Sequence, residues 1–97
     1  MDEVEAKSIL NAELSRLRQL TFAQLVERYL DETRAFEVKA ASGAEYQIKV
    51  QAFWDHPPKP GENLRVLAAI DDGKGWRLIA PLADGFIMTP EGTFLDE

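Results

Sequence analysis

The only histidine of the chain, His56, directly follows Asp55 and is the first candidate for chemistry. A carboxylate beside an imidazole can make a general base. Adjacent side chains at the end of a strand point apart, however; no serine has a spacing that indicates a nucleophile, and the chain has no cysteine. The pattern therefore favours a solvated loop histidine. A small enzyme or ligand-binding protein that uses Asp55, His56 and the nearby Arg65 is the alternative.

The sequence Asp71-Asp72-Gly73 begins like a calcium-binding loop. The later oxygen ligands and the closing glutamate are missing, because Lys-Gly-Trp comes next. These glycines also do not form a phosphate loop, since a strand pattern and not a helix follows them. One histidine and scattered carboxylates lack the ligand spacing of a zinc site. The sequence therefore predicts a turn here, and no metal, cofactor or catalytic residue.

Two helices precede this region. Residues 2–18 carry apolar side chains at helical spacing, with acidic residues at the positive end of the helix dipole. Thr21 and Gln24 then form a capping-box pair, which predicts a second helix after a corner near Leu20. One continuous helix is the main alternative. The buried stripe of the second helix is predicted to be Leu25, Val26, Tyr29 and Leu30.

Apolar and polar residues alternate in four later segments, 34–41, 46–54, 63–70 and 76–80, as in strands of a half-buried sheet. The even-numbered side chains are expected to face the helices and the odd-numbered ones to face away. The predicted inner wall is Phe36, Val38, Ala40, Tyr46, Ile48, Val50, Ala52, Trp54, Leu64, Val66, Ala68, Ile70, Trp76, Leu78 and Ala80.

A three-residue loop, Ala41–Gly43, is predicted to close the first hairpin, because Gly43 then occupies the position that needs a positive φ. A two-residue loop would set Val38 against Gln47 and mix the two faces. The predicted facing pairs are Val38 with Tyr46, Phe36 with Ile48, and Lys39 with Glu45.

The third and fourth strands are expected to be joined by the turn Asp71–Gly75. The predicted pairs are Ile70 with Trp76 and Ala68 with Leu78. Asp84-Gly85 is interpreted as another turn, followed by a short strand at 86–88 and a turn at Pro90–Gly92.

The elements together predict one α+β domain over residues 1–97. Two N-terminal helices pack on one face of a four-stranded antiparallel β-meander, with a short C-terminal hairpin or arm. Residues 1–33 are helical, 34–80 form the sheet and 81–97 form the extension. The segment 55–62 is a loop, because its three prolines cannot feed a ladder.

Charge and hydropathy exclude several classes of protein. The net charge is −6, with −3 over residues 1–33, +1 over 34–80 and −4 over 81–97. Such an acidic chain is a poor general nucleic-acid binder, since that function relies on basic surface. No apolar run reaches the roughly 18 residues that span a bilayer. The acidic N-terminal stretch contradicts a secretory signal, so a cytoplasmic location is expected.

The face away from the helices is the surface predicted to bind. Phe53 is expected opposite Arg65, and Leu67 opposite Ile79, which gives an apolar centre beside cations. Three interpretations stay open: the C-terminal segment covers this face, a protein or second copy binds it, or an anionic ligand or single-stranded nucleic acid lies on it. The predicted odd-numbered residues are Lys39, Lys49, Phe53, Arg65, Leu67, Ala69, Arg77 and Ile79.

The most distinctive stretches of the sequence are RVLAAIDDG and WRLIAPLADGFIMTPEGTF, from Arg65 onward. This last third resembles small uncharacterised bacterial proteins in which a strand ends in Ile-Asp-Asp-Gly, followed by Trp-Arg and a Pro-x-Gly-x-Phe ending. The resemblance carries no assigned activity and supplies no catalytic residue. It implies that 81–82 and 86–87 belong to the fold.

We hypothesise a non-enzymatic module that binds a protein partner or forms a homodimer through this sheet face. An immunity protein that neutralises a toxin is one form such a small acidic module could take. The predicted interaction residues are Lys49, Phe53, Arg65, Leu67, Arg77 and Ile79.

Overall fold

The computed structural model describes residues 2–55, 59, 61–72 and 82–95. Two helices pack on one face of an antiparallel five-stranded sheet, so the predicted α+β class is confirmed, with one strand more than expected. In the described part of the chain, no helix is long and apolar enough to cross a membrane. The elements, with strands in their sheet order, are α1 Glu3–Arg18, α2 Phe22–Tyr29, β1 Arg34–Lys39, β2 Glu45–Trp54, β3 Leu64–Asp71, β4 Leu82–Met88 and β5 Phe94–Leu95.

Each helix begins at a side chain that accepts a backbone N–H. Asp2 caps α1 by accepting from the Glu5 amide at 3.1 Å. At α2 the Thr21 hydroxyl accepts from the Gln24 amide at 3.1 Å, and the Gln24 side-chain oxygen accepts from the Thr21 amide at 2.9 Å. This reciprocal pair satisfies two amides that the first turn leaves without partners. The capping box and the corner between two helices are therefore confirmed.

The core lies between the helices and the even-numbered side of the sheet. Helix α1 packs over β3 and β4, and α2 packs over β2. Phe36 points to the same side as its facing residue Ile48 but is 38% exposed, because the helices lie over the other strands. The predicted parity is confirmed by the buried strand residues Tyr46, Ile48, Val50, Ala52, Leu64, Val66, Ala68 and Ile70.

Two hairpins each close with a three-residue loop, and the same type of backbone hydrogen bond spans both loops. In the first, the Ala40 amide donates to the Ala44 carbonyl at 2.8 Å and Gly43 has a φ of +92°. In the second, the Thr89 amide donates to the Thr93 carbonyl at 2.8 Å. The predicted pairs of the first hairpin, Val38 with Tyr46, Phe36 with Ile48 and Lys39 with Glu45, are confirmed, and so is a turn at Pro90–Gly92.

The predicted partner of β3 on its second edge is wrong. That edge pairs with β4, so Ile70 lies opposite Leu82 and Ala68 opposite Asp84, where Trp76 and Leu78 were expected. The predicted strand 76–80 lies outside the described residues. Both segments carry mainly apolar residues at even positions, with Asp84 as the exception in β4, and alternation alone therefore did not identify β4 as the partner.

The predicted turn at Asp84-Gly85 is also wrong, since both residues lie in the middle of β4. A Cβ on Gly85 would collide with the Val66 carbonyl oxygen and would lie 2.7 Å from Leu67 Cδ2. This glycine therefore permits a close approach of two strands. The prediction was wrong because the dipeptide Asp-Gly is also typical of turns.

Candidate interaction surface

The sheet side away from the helices is called the outer face here. One row of cross-strand neighbours on it runs Phe53, Arg65, Ile87 and Leu95. Phe53 is 39% exposed and Leu95 40% exposed, whereas Ile87 between them is buried. Three apolar side chains from three strands thus adjoin one cation on an otherwise acidic chain.

A second row on the outer face consists mainly of small residues. Ala35, Lys49, Ala69 and Ala83 face one another in turn across β1 to β4. Because alanine side chains are short, they leave a hollow of about 190 Å³ beside Leu67, whose side chain is half-buried. Gln51 also lines it and accepts a hydrogen bond of 3.3 Å from the Thr33 hydroxyl.

Arg65 is held by an ion pair at one end of this face. Its Nε and Nη2 atoms each lie 3.1 Å from Asp55 Oδ1. The guanidinium is therefore partly neutralised, and the Asp55 carboxylate is directed to Arg65. His56 lies outside the described residues. The geometry gives Asp55 a structural partner on the outer face.

The cations predicted for this face differ in their surroundings. Lys39 lies opposite Glu45, as expected, which offsets its charge in the ladder. Lys49 is exposed and lies between two alanines, Ala35 and Ala69. The outer face is thus less basic than its sequence suggests.

The structure brings together four of the six predicted interaction residues. Phe53 lies opposite Arg65 as expected, with Lys49 and Leu67 on the same face. The pairing of Leu67 with Ile79 is wrong, because the β4 partner of Leu67 is Gly85. Arg77 and Ile79 lie outside the described residues.

Sequence reasoning missed Ile87 and Leu95 as members of this surface. Treating Asp84-Gly85 as a turn cut β4 short and removed its register. The available signal was the period of two through Leu82, Phe86 and Met88, which continues the even-numbered inner wall past one polar position, Asp84, and places Ile87 on the outer face.

The described part of the C-terminal segment does not cover the outer face. Strands β4 and β5 extend the sheet sideways, and Phe86 and Met88 are buried on the helix side. The interpretation in which Phe86 to Phe94 folds across the face as a second core is therefore wrong for the residues that the structure describes.

A separate hollow of about 500 Å³ lies where α1 meets the first hairpin, lined by Asp2, Glu5, Glu45 and other residues. Glu5 Oε1 accepts hydrogen bonds of 2.8 Å from both the Ser42 and the Tyr46 hydroxyls. Within the described ranges, no cluster of three or more carboxylates or imidazoles is arranged to hold a metal ion. These contacts fasten the helix to the hairpin.

Comparison of the chain with protein families, with curated proteins and with solved structures gives no match. The resemblance of the C-terminal third to small bacterial proteins therefore stays a prediction.

Proposed function

We propose that the protein is a non-enzymatic interaction module whose outer face binds a protein surface, either of a partner or of another copy. The observation that supports this most is the row of Phe53, Ile87 and Leu95 beside the alanine hollow. The exposed parts of Phe53 and Leu95 lose water favourably when a complementary surface covers them, and the buried Ile87 lies between these two residues.

The charges of the face favour a protein over a nucleic acid. Binding to a phosphate backbone draws on free cations whose counterions are released. Here Arg65 is paired with Asp55, Lys39 lies opposite Glu45, and the whole chain carries −6. A partner that buries Phe53 and Leu95 and meets Lys49 with an acid fits this distribution better.

The test is a double substitution, Phe53→Glu with Leu67→Glu, which places two carboxylates in the apolar part of the outer face. Its matched control is Val4→Glu with Ala12→Glu, which adds the same charge on exposed positions of α1. Circular dichroism establishes that each variant is folded. If the double outer-face variant does not fold, Phe53→Glu alone replaces it, since Phe53 is the more exposed residue.

We expect the outer-face variant to associate less than the control, by light scattering over a concentration series or by capture of a partner identified with the unmodified protein. Charged groups in a desolvated apolar contact have no compensation there. Equal behaviour of the two variants in both measurements would remove the proposal.

A further inference from the structure

Beyond the outer face, we propose that the free edge of β1 pairs with β1 of a second copy. The pairing is antiparallel, about a two-fold axis through Val38, and joins the two sheets into one. The surface involved is the edge of the sheet, and it does not include the apolar residues Phe53, Ile87 and Leu95 of the outer face.

The phase of the first hairpin determines which groups lie on this edge. The Ala40 amide bonds to Ala44, and along an antiparallel ladder alternate residues bond to the neighbour. Residues 34, 36 and 38 therefore bond to β2, whereas Ala35, Glu37 and Lys39 direct their N–H and C=O groups away from it. Strand β1 is the first in the sheet order, so in the described part of the chain these groups have no strand beside them.

Two of the usual devices that protect such an edge, a proline and a β-bulge, are missing from β1. Its six residues contain no proline or glycine, and its six pairs with β2 follow one another without a bulge. Unpaired, regular edges of this kind are templates for another strand. The charges Glu37 and Lys39 would still block pairing if they met like charges.

One register turns these two charges into mutual attraction. With the axis through Val38, Glu37 of each copy lies opposite Lys39 of the other, so two ion pairs form across the edge. Glu37 and Lys39 both direct their backbone groups outward, and each such pair is therefore also a hydrogen-bonded pair. Opposite charges facing each other across strands stabilise the pairing.

Neighbouring registers lack this complementarity. An axis through Glu37 sets the two Glu37 carboxylates against each other. An axis through Phe36 sets Glu37 against Ala35 and leaves Lys39 opposite Thr33. The charge pattern of β1 thus selects the Val38 register, and it does so for a second copy of this same strand.

The helix-facing side of β1 is compatible with this register, which the charges of Glu37 and Lys39 select. Phe36 is 38% exposed and Val38 is half-buried there. In the Val38 register the two Val38 side chains face each other and each Phe36 lies opposite Ala40 of the other copy. Pairing would then remove apolar area from water that the single chain leaves exposed.

The test uses two single substitutions, Glu37→Lys and Lys39→Glu. In the Val38 register, Glu37→Lys creates two lysine pairs and Lys39→Glu creates two glutamate pairs, so each variant repels itself. Mixed together, the two variants place lysine opposite glutamate at both positions. Association is measured by sedimentation velocity at physiological ionic strength. The Debye length is then about 8 Å, so the salt screens the general repulsion between the acidic chains.

We expect the unmodified protein to dimerise, each variant alone to dimerise at least about tenfold more weakly, and the mixture to recover a one-to-one dimer. An unmodified chain that stays monomeric at every concentration, a Lys39→Glu variant that dimerises like the unmodified chain, or a mixture that stays monomeric would each overturn the proposal.

Lys39→Glu also faces Glu45, so its fold is checked by circular dichroism. Should it unfold, Glu37→Pro replaces it, because that substitution removes an outward N–H donor and the Glu37 carboxylate, and leaves the hydrogen bonds of β1 to β2 in place. A folded Glu37→Pro variant is expected to be monomeric, and one that dimerises like the unmodified chain would overturn the edge pairing. The Glu37→Lys and Lys39→Glu variants are also mixed after Phe53→Glu and Leu67→Glu have been added to both. This mixture is still expected to dimerise, which would show that pairing at the edge does not require the outer face.

Discussion

The Tyr46 hydroxyl lies where the first turn of α1 meets the first hairpin. It donates to Glu5 Oε1 at 2.8 Å, and the tyrosine is 3% exposed. Burial, followed by the hydrogen bond to the carboxylate, raises the pKa of Tyr46 to about 12 from an ordinary value of 10.0. The neutral phenol is therefore favoured in the folded chain, because ionisation would set a phenolate beside Glu5.

The first prediction concerns this pKa. The folded state holds the Tyr46 proton more tightly than the unfolded state, so its contribution to stability is complete below pH 10 and is lost as the pH rises to about 12. We expect the free energy of unfolding, measured with denaturant across this window, to fall more steeply for the unmodified chain than for Tyr46→Phe. Tyr29→Phe is the control. If the free energy of unfolding fell equally steeply with pH for the unmodified chain and for Tyr46→Phe, the folded state would not raise the pKa of Tyr46.

At the residue scale, local contacts could be predicted and distant ones could not. The capping pair Thr21 and Gln24 is separated by three positions, so its geometry follows from the helix itself. Glu5 and Tyr46 lie 41 positions apart, and their contact depends on how α1 crosses the sheet. No spacing in the sequence contains that information.

At the scale of elements, a buried carboxylate on α1 and its arginine partner connect the two helices. Glu13 is 9% exposed, and Arg16 bonds to both of its oxygens, with Nε–Oε1 at 2.9 Å and Nη2–Oε2 at 2.6 Å. Arg16 Nη2 also donates to the Tyr29 hydroxyl of α2 at 3.2 Å. The hydrogen bonds to Glu13 and then to Tyr29 raise the pKa of the Arg16 guanidinium further above its ordinary value.

The second prediction concerns this link. Arg16→Ala leaves the Glu13 carboxylate buried without its partner, and we expect it to lower the free energy of unfolding by about 1–3 kcal/mol. Lys7→Ala, at an exposed position of α1, is the matched control and should change little. Adding Glu13→Leu to Arg16→Ala removes the buried charge and should recover much of the loss. An additive further loss in the double variant, by denaturant unfolding, would contradict this account.

The pairing of two strands could be predicted where the length of the loop between them fixed the register. The loop Ala41–Gly43 allowed a single register that kept both faces consistent, and the pairs of β1 with β2 followed. It failed at β4, because Asp84-Gly85 matches turn chemistry while the close approach to Val66 that requires Gly85 is a tertiary contact. The outer face was accordingly predicted correctly on β2 and β3, whereas its β4 member Ile87 was missed.

At the scale of the whole molecule, the two-layer arrangement separates adjacent residues of β2. The ring centroid of Trp54 lies 6.2 Å from that of Phe22 in α2, and Trp54 packs against the core. Phe53 lies on the outer face and is 39% exposed. Two aromatic neighbours thus serve different surfaces, one holding the layers together and the other available for binding.

The third prediction compares these neighbours. Trp54→Ala opens a gap between the layers, and we expect it to lower the free energy of unfolding by about 3 kcal/mol. Phe53→Ala removes a partly exposed ring and should cost about 1 kcal/mol or less. Both are measured by denaturant unfolding of otherwise identical chains. A Phe53→Ala variant as unstable as Trp54→Ala would contradict the division into an inner and an outer side.

The sheet order β1 to β5 is also the order of the strands along the chain. Each strand can therefore add to the one made just before it during synthesis, and no described segment has to pass another to reach its place. Neighbours close in sequence need little loop closure before they meet, which favours rapid assembly. Strand β1 is the first strand of the sheet to be synthesised, and among the described residues no strand added later occupies its second edge.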